Sequence, residues 1–206
     1  VESMNAKASA LGLEATHFEN CTGLPAVSQY SCARDVAKMF CALIKHKSYF
    51  ECAGIWMQDF LHPSGRVTCM TNTNKLVRFY DGCDGGKTGY TCEAKHCLAA
   101  TAKRGNTRVV AVVVGAPDSK TRFAEVSSLF NYAFANFENK CYLSADSTLS
   151  TVAVKGGKAN SVAVAPSDNL SYFAQKGKSD KLTVKLDLPD VVAAPIAKGQ
   201  KLGEAT

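Results

Sequence analysis

The segment Asp84-Gly85-Gly86-Lys87-Thr88-Gly89-Tyr90-Thr91 gathers, on one short stretch of chain, groups that acyl transfer needs. Transfer of an acyl group to a serine hydroxyl requires a base beside the nucleophile, donors for the oxyanion and a holder for the substrate's terminal carboxylate. On a strand, the Lys87 ammonium supplies positive potential and a partner for proton relay. The Thr88 hydroxyl can donate to a carboxylate. Gly89 lets a substrate backbone lie along the strand edge as an added strand, and the Tyr90 amide can point into an oxyanion hole. A three-letter Lys-Thr-Gly match is weak by itself, because Lys87 could be a solvated strand residue and Gly89 a bulge. The nucleophile is the missing part. No lysine has a serine three residues before it, so Ser-x-x-Lys does not occur in the 206 residues. The pattern points to a reaction class that this polypeptide alone cannot carry out.

The elements that must position these residues are legible from periodicity. Strands are predicted over Lys87 to Cys92, His96 to Lys103 and Thr107 to Gly115, with Gly105-Asn106 as a two-residue hairpin connection. The run Val109 to Val114 is apolar on both faces, which predicts a central strand covered on both sides. Asp118 or Ser119 then caps a helix whose Phe123, Val126, Phe130, Phe134 and Phe137 form an apolar stripe. Upstream, Met4, Ala8 and Leu11 share a helical face that stops at Gly12. Ser31 is a candidate N-cap for a helix carrying Val36, Phe40, Leu43 and Ile44. Between these helices, Phe18 to Gln29 is a turn-rich connection with Gly23 and Pro25. Past Asn139 the texture changes to short alternating segments at Thr151 to Val154, Ser161 to Val164 and Leu182 to Leu188. In the last of these, Leu182, Val184, Leu186 and Leu188 alternate strictly, as in a half-buried antiparallel strand. The expected division is therefore residues 1–138 and a small all-β domain over 139–206.

Composition removes several function classes. The chain is 46% hydrophobic and 20% charged, the balance of a globular protein. Its net charge of 24 − 18 = +6 is spread along the sequence; nucleic-acid binding, which needs clustered basic residues, is not expected. No apolar run approaches the roughly 18 residues of a membrane span. The start, Val1-Glu2-Ser3, is no signal peptide and lacks an initiating methionine, which suggests a processed product or an excised fragment. Nine cysteines (21, 32, 41, 52, 69, 83, 92, 97 and 141) include no Cys-x-x-Cys, so no metal site is expected. Most are expected to be small buried apolar residues in a low-oxygen setting, with one or two disulfides left open. His17, His46, His62 and His96 show no ligand spacing and no nucleophile motif, which favours surface or packing roles.

Beyond Lys-Thr-Gly, the surrounding text carries a resemblance. Met4-Asn5-x-Lys7-Ala8, Leu11-Gly12-Leu13, Thr16-x-Phe18-x-Asn20, Gly23-Leu24-Pro25, Tyr30-Ser31-x-Ala33-Arg34-Asp35, Asn72-Thr73-Asn74-Lys75-Leu76, Asp84 to Thr91 and Ala100-Thr101-Ala102-Lys103-Arg104 occur in that order. Together they resemble the D-alanyl-D-alanine carboxypeptidases, the low-molecular-mass penicillin-binding proteins, from residue 1 to about residue 138. The tail, with Ala194-Pro195-Ile196-Ala197-Lys198-Gly199-Gln200, is similar to that family's β-rich second domain. The resemblance implies an α/β (α+β) transpeptidase-like domain of the penicillin-binding-protein and β-lactamase type. Such a domain has an antiparallel sheet with flanking helices, here followed by a small all-β domain, both partial.

The implied activity is serine-type removal of the terminal D-alanine from peptidoglycan stem peptides through an acyl-serine, with β-lactam antibiotics as acylating partners and no metal or organic cofactor. Lys87, Thr88 and Gly89 carry over as catalytic residues of the third motif, and Thr88, Tyr90 and Arg122 as substrate-binding residues. Arg122 matches the arginine that grips the terminal carboxylate, a task suited to a bidentate guanidinium. The residues alone would have made it a surface charge. The family's Ser-x-x-Lys and Ser-x-Asn elements precede the Met4-Asn5 helix, so the missing partner is an N-terminal segment of the same enzyme. Two decoys occur. Ser3-Met4-Asn5 coincides with the separate Met-Asn helix, and Ser167-Asp168-Asn169 follows Lys-Thr-Gly and reads as a turn. The implied location is the cell envelope outside the cytoplasm, with a membrane anchor beyond Thr206. The rival readings are a β-lactamase of the same superfamily, which should lack the β-rich tail, and a non-catalytic wall- or partner-binding module derived from the fold.

Overall fold

The computed structural model describes residues 1–145, 147–178 and 183–206, which form two units, Val1–Ala135 and Asn136–Thr206. In the first unit three helices come first: α1 (Glu2–Ala10), α2 (Ala33–Leu43) and α3 (Lys47–Ala53). A hairpin of β1 (Met57–Leu61) and β2 (Val67–Thr71) and the short helix α4 (Leu76–Phe79) lead into β3 (Cys83–Thr91), β4 (Lys95–Arg104) and β5 (Thr107–Ala116). The helix α5 (Ser119–Asn136) follows.

The strands β3, β4 and β5 form one antiparallel sheet in that order. Gly105-Asn106 makes the predicted turn, Gly105 taking a φ of +56° that a Cβ would disfavour. Leu98, Ala100 and Ala102 of β4 and Ala111 of β5 are buried against Val126, Phe130 and Phe134 of α5, with Phe123 packed on the margin. Small alanines on the sheet let the helix approach, and Phe130 fills the space. The opposite face meets α2, which packs on β5, and Tyr49 of α3, which lies against Gly85.

Two expectations are corrected here. Among the described residues β5 is an edge strand and β4 the central one. The double apolar face of Val109 to Val113 reports cover by helices above and below, which is independent of whether both backbone edges are paired, while Val114 is exposed. Phe137 leaves the predicted stripe, because α5 ends at Asn136 and Phe137 opens a strand.

The N-terminal helices are joined by buried polar contacts that periodicity does not reveal. Asp35 is buried and accepts hydrogen bonds from Ala15 N (2.9 Å) and Thr16 Oγ1 (2.8 Å), tying the loop after α1 to α2. Ser31 is not the cap of α2. That position is Cys32, and the Ser31 hydroxyl instead meets Thr16 Oγ1 at 2.9 Å. Asn5 of the Ser3-Met4-Asn5 decoy accepts from Phe18 N and donates to Phe18 O, a structural tie.

The cysteines also depart from expectation. All nine are free thiols, six are exposed, and only Cys83 is buried. Cysteine is among the side-chain types most often buried, so six exposed thiols run against its usual placement.

The second unit is all-β. Its strands are β6 (Phe137–Leu143), β7 (Ser150–Lys155), β8 (Ser161–Val164), β9 (Leu170–Gln175), β10 (Leu186–Asp187), β11 (Val191–Ala193) and β12 (Glu204–Ala205). β6 pairs with β9, β7 lies between β8 and a parallel β11, and β10 pairs with β12. Val152 and Ala174 are its buried apolar residues among those described. Of the strand expected over Leu182 to Leu188, the described residues show two, Leu186–Asp187, with Leu186 exposed, and Leu182 itself lies outside the described residues. Ser167-Asp168-Asn169 is a bend, where Asn169 Oδ1 accepts from Ala145 N at 2.8 Å.

Candidate active site

The strand β3 pairs with β4 and, among the described residues, has no second partner, so its other edge is open. Lys87, Thr88, Gly89 and Tyr90 all lie on it, opposite Ala99, Leu98, Cys97 and His96 of β4. The strand's entrance is clamped on both faces. A Cβ on Gly85 would stand 2.9 Å from the Tyr49 ring, and one on Gly86 would stand 2.6 Å from Asn74 Nδ2 and 2.7 Å from Ala99 O. Both positions therefore require glycine for steric reasons. Just before them, Asp84 accepts a bidentate pair from Arg108 at 2.8 and 2.7 Å, and the Arg108 guanidinium stacks over Phe50 at 4.5 Å. Burial pushes the Tyr49 phenol above its ordinary pKa, and its hydroxyl is buried with no hydrogen-bond partner among the described residues.

With the strand fixed, its side chains are placed as follows. Lys87 is exposed and its Nζ donates to Thr88 O at 2.5 Å. Thr88 Oγ1 donates to Thr73 Oγ1 at 3.0 Å. The exposed Tyr90 ring packs on His96, with centroids 4.5 Å apart. Arg122, in the first turn of α5, is only 8% exposed. Its Nη1 donates to Gly89 O and Cys97 O, both at 3.2 Å, and its Nη2 donates to Ser119 Oγ at 3.3 Å. Its Nε is buried with no acceptor among the described residues. Burial lowers its pKa from the usual arginine value. Asp118 holds the helix start, accepting from Thr121 N and Thr121 Oγ1, each at 2.8 Å. Arg122 thus joins the Lys-Thr-Gly strand through the carbonyl of its glycine.

Several residues here lay beyond sequence reasoning. Tyr49, Thr73, Asn74 and Arg108 reach β3 from other elements. Asn72-Thr73-Asn74 stood out as a motif, but nothing in its letters said which strand it would face. Among the described residues no cluster of three or more His, Cys, Asp or Glu side chains is suited to a metal ion.

Comparison with known proteins fits this arrangement. Residues 1–118 match the family model described as D-alanyl-D-alanine carboxypeptidase, and residues 137–206 match that of the penicillin-binding protein 5 C-terminal domain. The chain belongs to the D-alanyl-D-alanine carboxypeptidase family.

Among its relatives, D-alanyl-D-alanine carboxypeptidase DacF of Bacillus subtilis is 39% identical over 98% of this chain and 52% of that protein. DacA of Haemophilus influenzae is 33% identical over 99% of this chain and 52% of its own length. The solved structure of penicillin-binding protein 5 from Haemophilus influenzae superposes with a TM-score of 0.68 at 32% identity, covering 99% of this chain and 59% of that one. The Streptomyces K15 DD-transpeptidase gives a TM-score of 0.60 at 31% identity, over 65% of this chain and 53% of the other. The chain spans about half the length of the curated relatives it matches. The fold is the family's α/β transpeptidase-like type, antiparallel sheet with flanking helices, followed by an all-β region that matches the C-terminal-domain model.

Proposed function

We propose that this chain carries the third-motif strand and carboxylate-holding side of a serine-type D-alanyl-D-alanine carboxypeptidase. Residues 1–138 then form part of the transpeptidase-like domain and 139–206 part of the β-rich domain. The substrate is a peptidoglycan stem peptide ending in D-alanyl-D-alanine, β-lactams acylate the same site, and the reaction runs at the cell envelope outside the cytoplasm. The serine nucleophile comes from a segment of the enzyme outside these 206 residues, in which Ser-x-x-Lys does not occur; the chain alone is inactive. A membrane anchor beyond Thr206 belongs to the same proposal; among the described residues no helix is long and apolar enough to cross a membrane.

The observation that carries this reading is the open edge of β3 with a buried arginine behind it. A substrate adds to the edge as a strand. Serine attack forms the ester bond, the peptide bond to the last D-alanine breaks, and the serine proton passes by a base to the leaving amine. Water then attacks the ester and regenerates the hydroxyl. Lys87 supplies positive potential beside the nucleophile and the Tyr90 amide a donor for the oxyanion. Thr88 donates to the terminal carboxylate. Arg122 keeps Gly89 in register and adds a cation with an unused Nε–H.

The test is the intact mass of the full-length gene product before and after exposure to a penicillin. A single covalent adduct, lost when the serine of the Ser-x-x-Lys segment is changed to alanine, is the expected result. No adduct on a folded full-length protein would replace this reading with that of a non-catalytic binding module.

A further inference from the structure

The tripeptide Asn72-Thr73-Asn74 connects β2 to α4, and its two asparagines are anchored while the threonine between them is free to face outward. Asn72 Nδ2 donates to Ala53 O and Ile55 O, each at 3.0 Å, beside the C-terminal end of α3. Asn72 N donates to Trp56 O at 2.8 Å, and Asn72 Oδ1 accepts from Asn74 N at 2.9 Å. Asn74 is fully buried; its Nδ2 donates to Gly85 O at 3.3 Å and its Oδ1 accepts from Leu76 N at 3.2 Å. One end of the tripeptide is therefore fixed to the loop after α3 and the other to β3 itself. The exposed Thr73 side chain is carried to β3, where Thr88 Oγ1 donates to it at 3.0 Å.

We propose that Thr73 is a positioning residue for the carboxypeptidase reaction, acting through the Thr88 hydroxyl to orient the group that holds the acyl donor's carboxylate. The proposal rests on the functional reading above. A hydroxyl has one proton and two acceptor lone pairs, and an exposed threonine hydroxyl without a partner rotates among its wells. With Thr73 in place the Thr88 proton has one preferred direction in the free enzyme. When a carboxylate arrives, the Thr88 proton turns to it and the Thr73 proton turns to the Thr88 oxygen. Each proton stays on its own oxygen and no covalent bond changes. The resulting chain, Thr73 O–H to Thr88 O–H to carboxylate, polarises in one direction and strengthens its last link. The buried Asn74 keeps the spacing, because the same side chain holds Gly85 at the strand entrance.

The experiment compares acylation of the full-length protein by a penicillin and by the same penicillin as its methyl ester. Thr73→Val keeps the branched shape at an exposed position and removes only the hydroxyl. It should slow acylation by the free acid about three- to tenfold, the range for losing one neutral hydrogen bond, and change the ester by less than about twofold. Thr73→Ser should restore the wild-type rate. In a Thr88→Val background the second substitution should add no further loss, because Thr73 acts only through Thr88. Equal loss on acid and ester, no loss on either, or a full additional loss in the Thr88→Val background overturns the proposal. A wild-type protein that is not acylated at all refutes the carboxypeptidase reading instead.

Discussion

At the scale of single residues, Arg122 and Gly86 show two ways in which side-chain identity is set by β3. Arg122 is a buried cation whose partners are two backbone carbonyls and a hydroxyl, with Nε unused. Arg122→Ala in the full-length enzyme should lower kcat/KM for carboxylate-bearing substrates by about 2–5 kcal/mol, the range for removing one member of a buried charge pair. Arg122→Lys should recover little, since one ammonium cannot serve Gly89 O, Cys97 O and a carboxylate together. Unchanged kcat/KM in Arg122→Ala would remove this residue from the site. Gly86 is constrained by contact. Its Cβ would meet the Asn74 amide and the Ala99 carbonyl, so Gly86→Ala should destabilise the protein by about 1–3 kcal/mol. Gly105, with a φ of +56° and nothing within 4 Å of a Cβ, should cost about 1 kcal/mol on the same change through backbone strain alone. Gly86 also has a positive φ of +156°, so its Tm shift should exceed that of Gly105→Ala by the cost of the contacts; equal shifts would mean that the clamp around Gly86 yields.

At the scale of elements, two carboxylates tie helices of the first unit in place, Asp35 joining α2 to the loop after α1 and Asp118 capping α5, and both titrate in the same direction. Burial raises the Asp35 pKa, but hydrogen bonds from Thr16 and Ala15 and the charges of Lys38 and Arg34 outweigh it and leave the group below the ordinary aspartate value. Asp118 is held low by the Thr121 backbone and side-chain donors. A depressed folded pKa gives stability that is fully present above the unfolded value, about 3.9, and is lost as pH falls through the folded one. Urea midpoints measured between pH 6 and pH 3 should therefore drop below about pH 4, and Asp35→Asn with Asp118→Asn should flatten that limb. An unaltered acid slope in the double variant would mean that these groups do not govern it. The same elements show what the sequence can and cannot reveal. The strands β3 to β5 and the helix α5 were legible because Leu98, Ala100, Val126 and Phe130 follow the periods of a sheet and a helix facing one core. The hairpin of β1 and β2 was silent, since all ten of its residues are exposed and no alternation is imposed on them. Lys87 to Tyr90 could be placed on one strand from their own letters. Thr73, Asn74, Tyr49 and the buried state of Arg122 could not, because those contacts arise only when distant segments meet.

At the scale of the whole molecule, the first unit presents apolar surface that a free chain has to leave in water. The strand β5 is an edge among the described residues, although its Val109 to Val113 stretch packs on helices from both sides. Beside that edge, Val113, Ala124, Ser128 and Leu129 line an open groove, and Val114, Leu129 and Tyr132 are each more than two-fifths exposed. The hairpin adds Met57, Phe60, Leu61, Val67 and Met70, all exposed on a two-stranded ribbon with no described cover. An unpaired apolar strand edge recruits other chains, and scattered exposure becomes costly when it is contiguous. The chain spans about half of its relatives' length, and on the reading proposed above cover for these patches is expected from the part of the enzyme outside residues 1–206. Recombinant residues 1–206 should therefore self-associate, or bind a hydrophobic dye strongly, and should form no covalent adduct with a penicillin. On the reading proposed above, the full-length protein should show the dye signal suppressed and the adduct restored together. A monodisperse 22.0 kDa monomer with a single cooperative melt and no dye binding would show that the chain is self-sufficient, and would favour a binding module over an enzyme fragment.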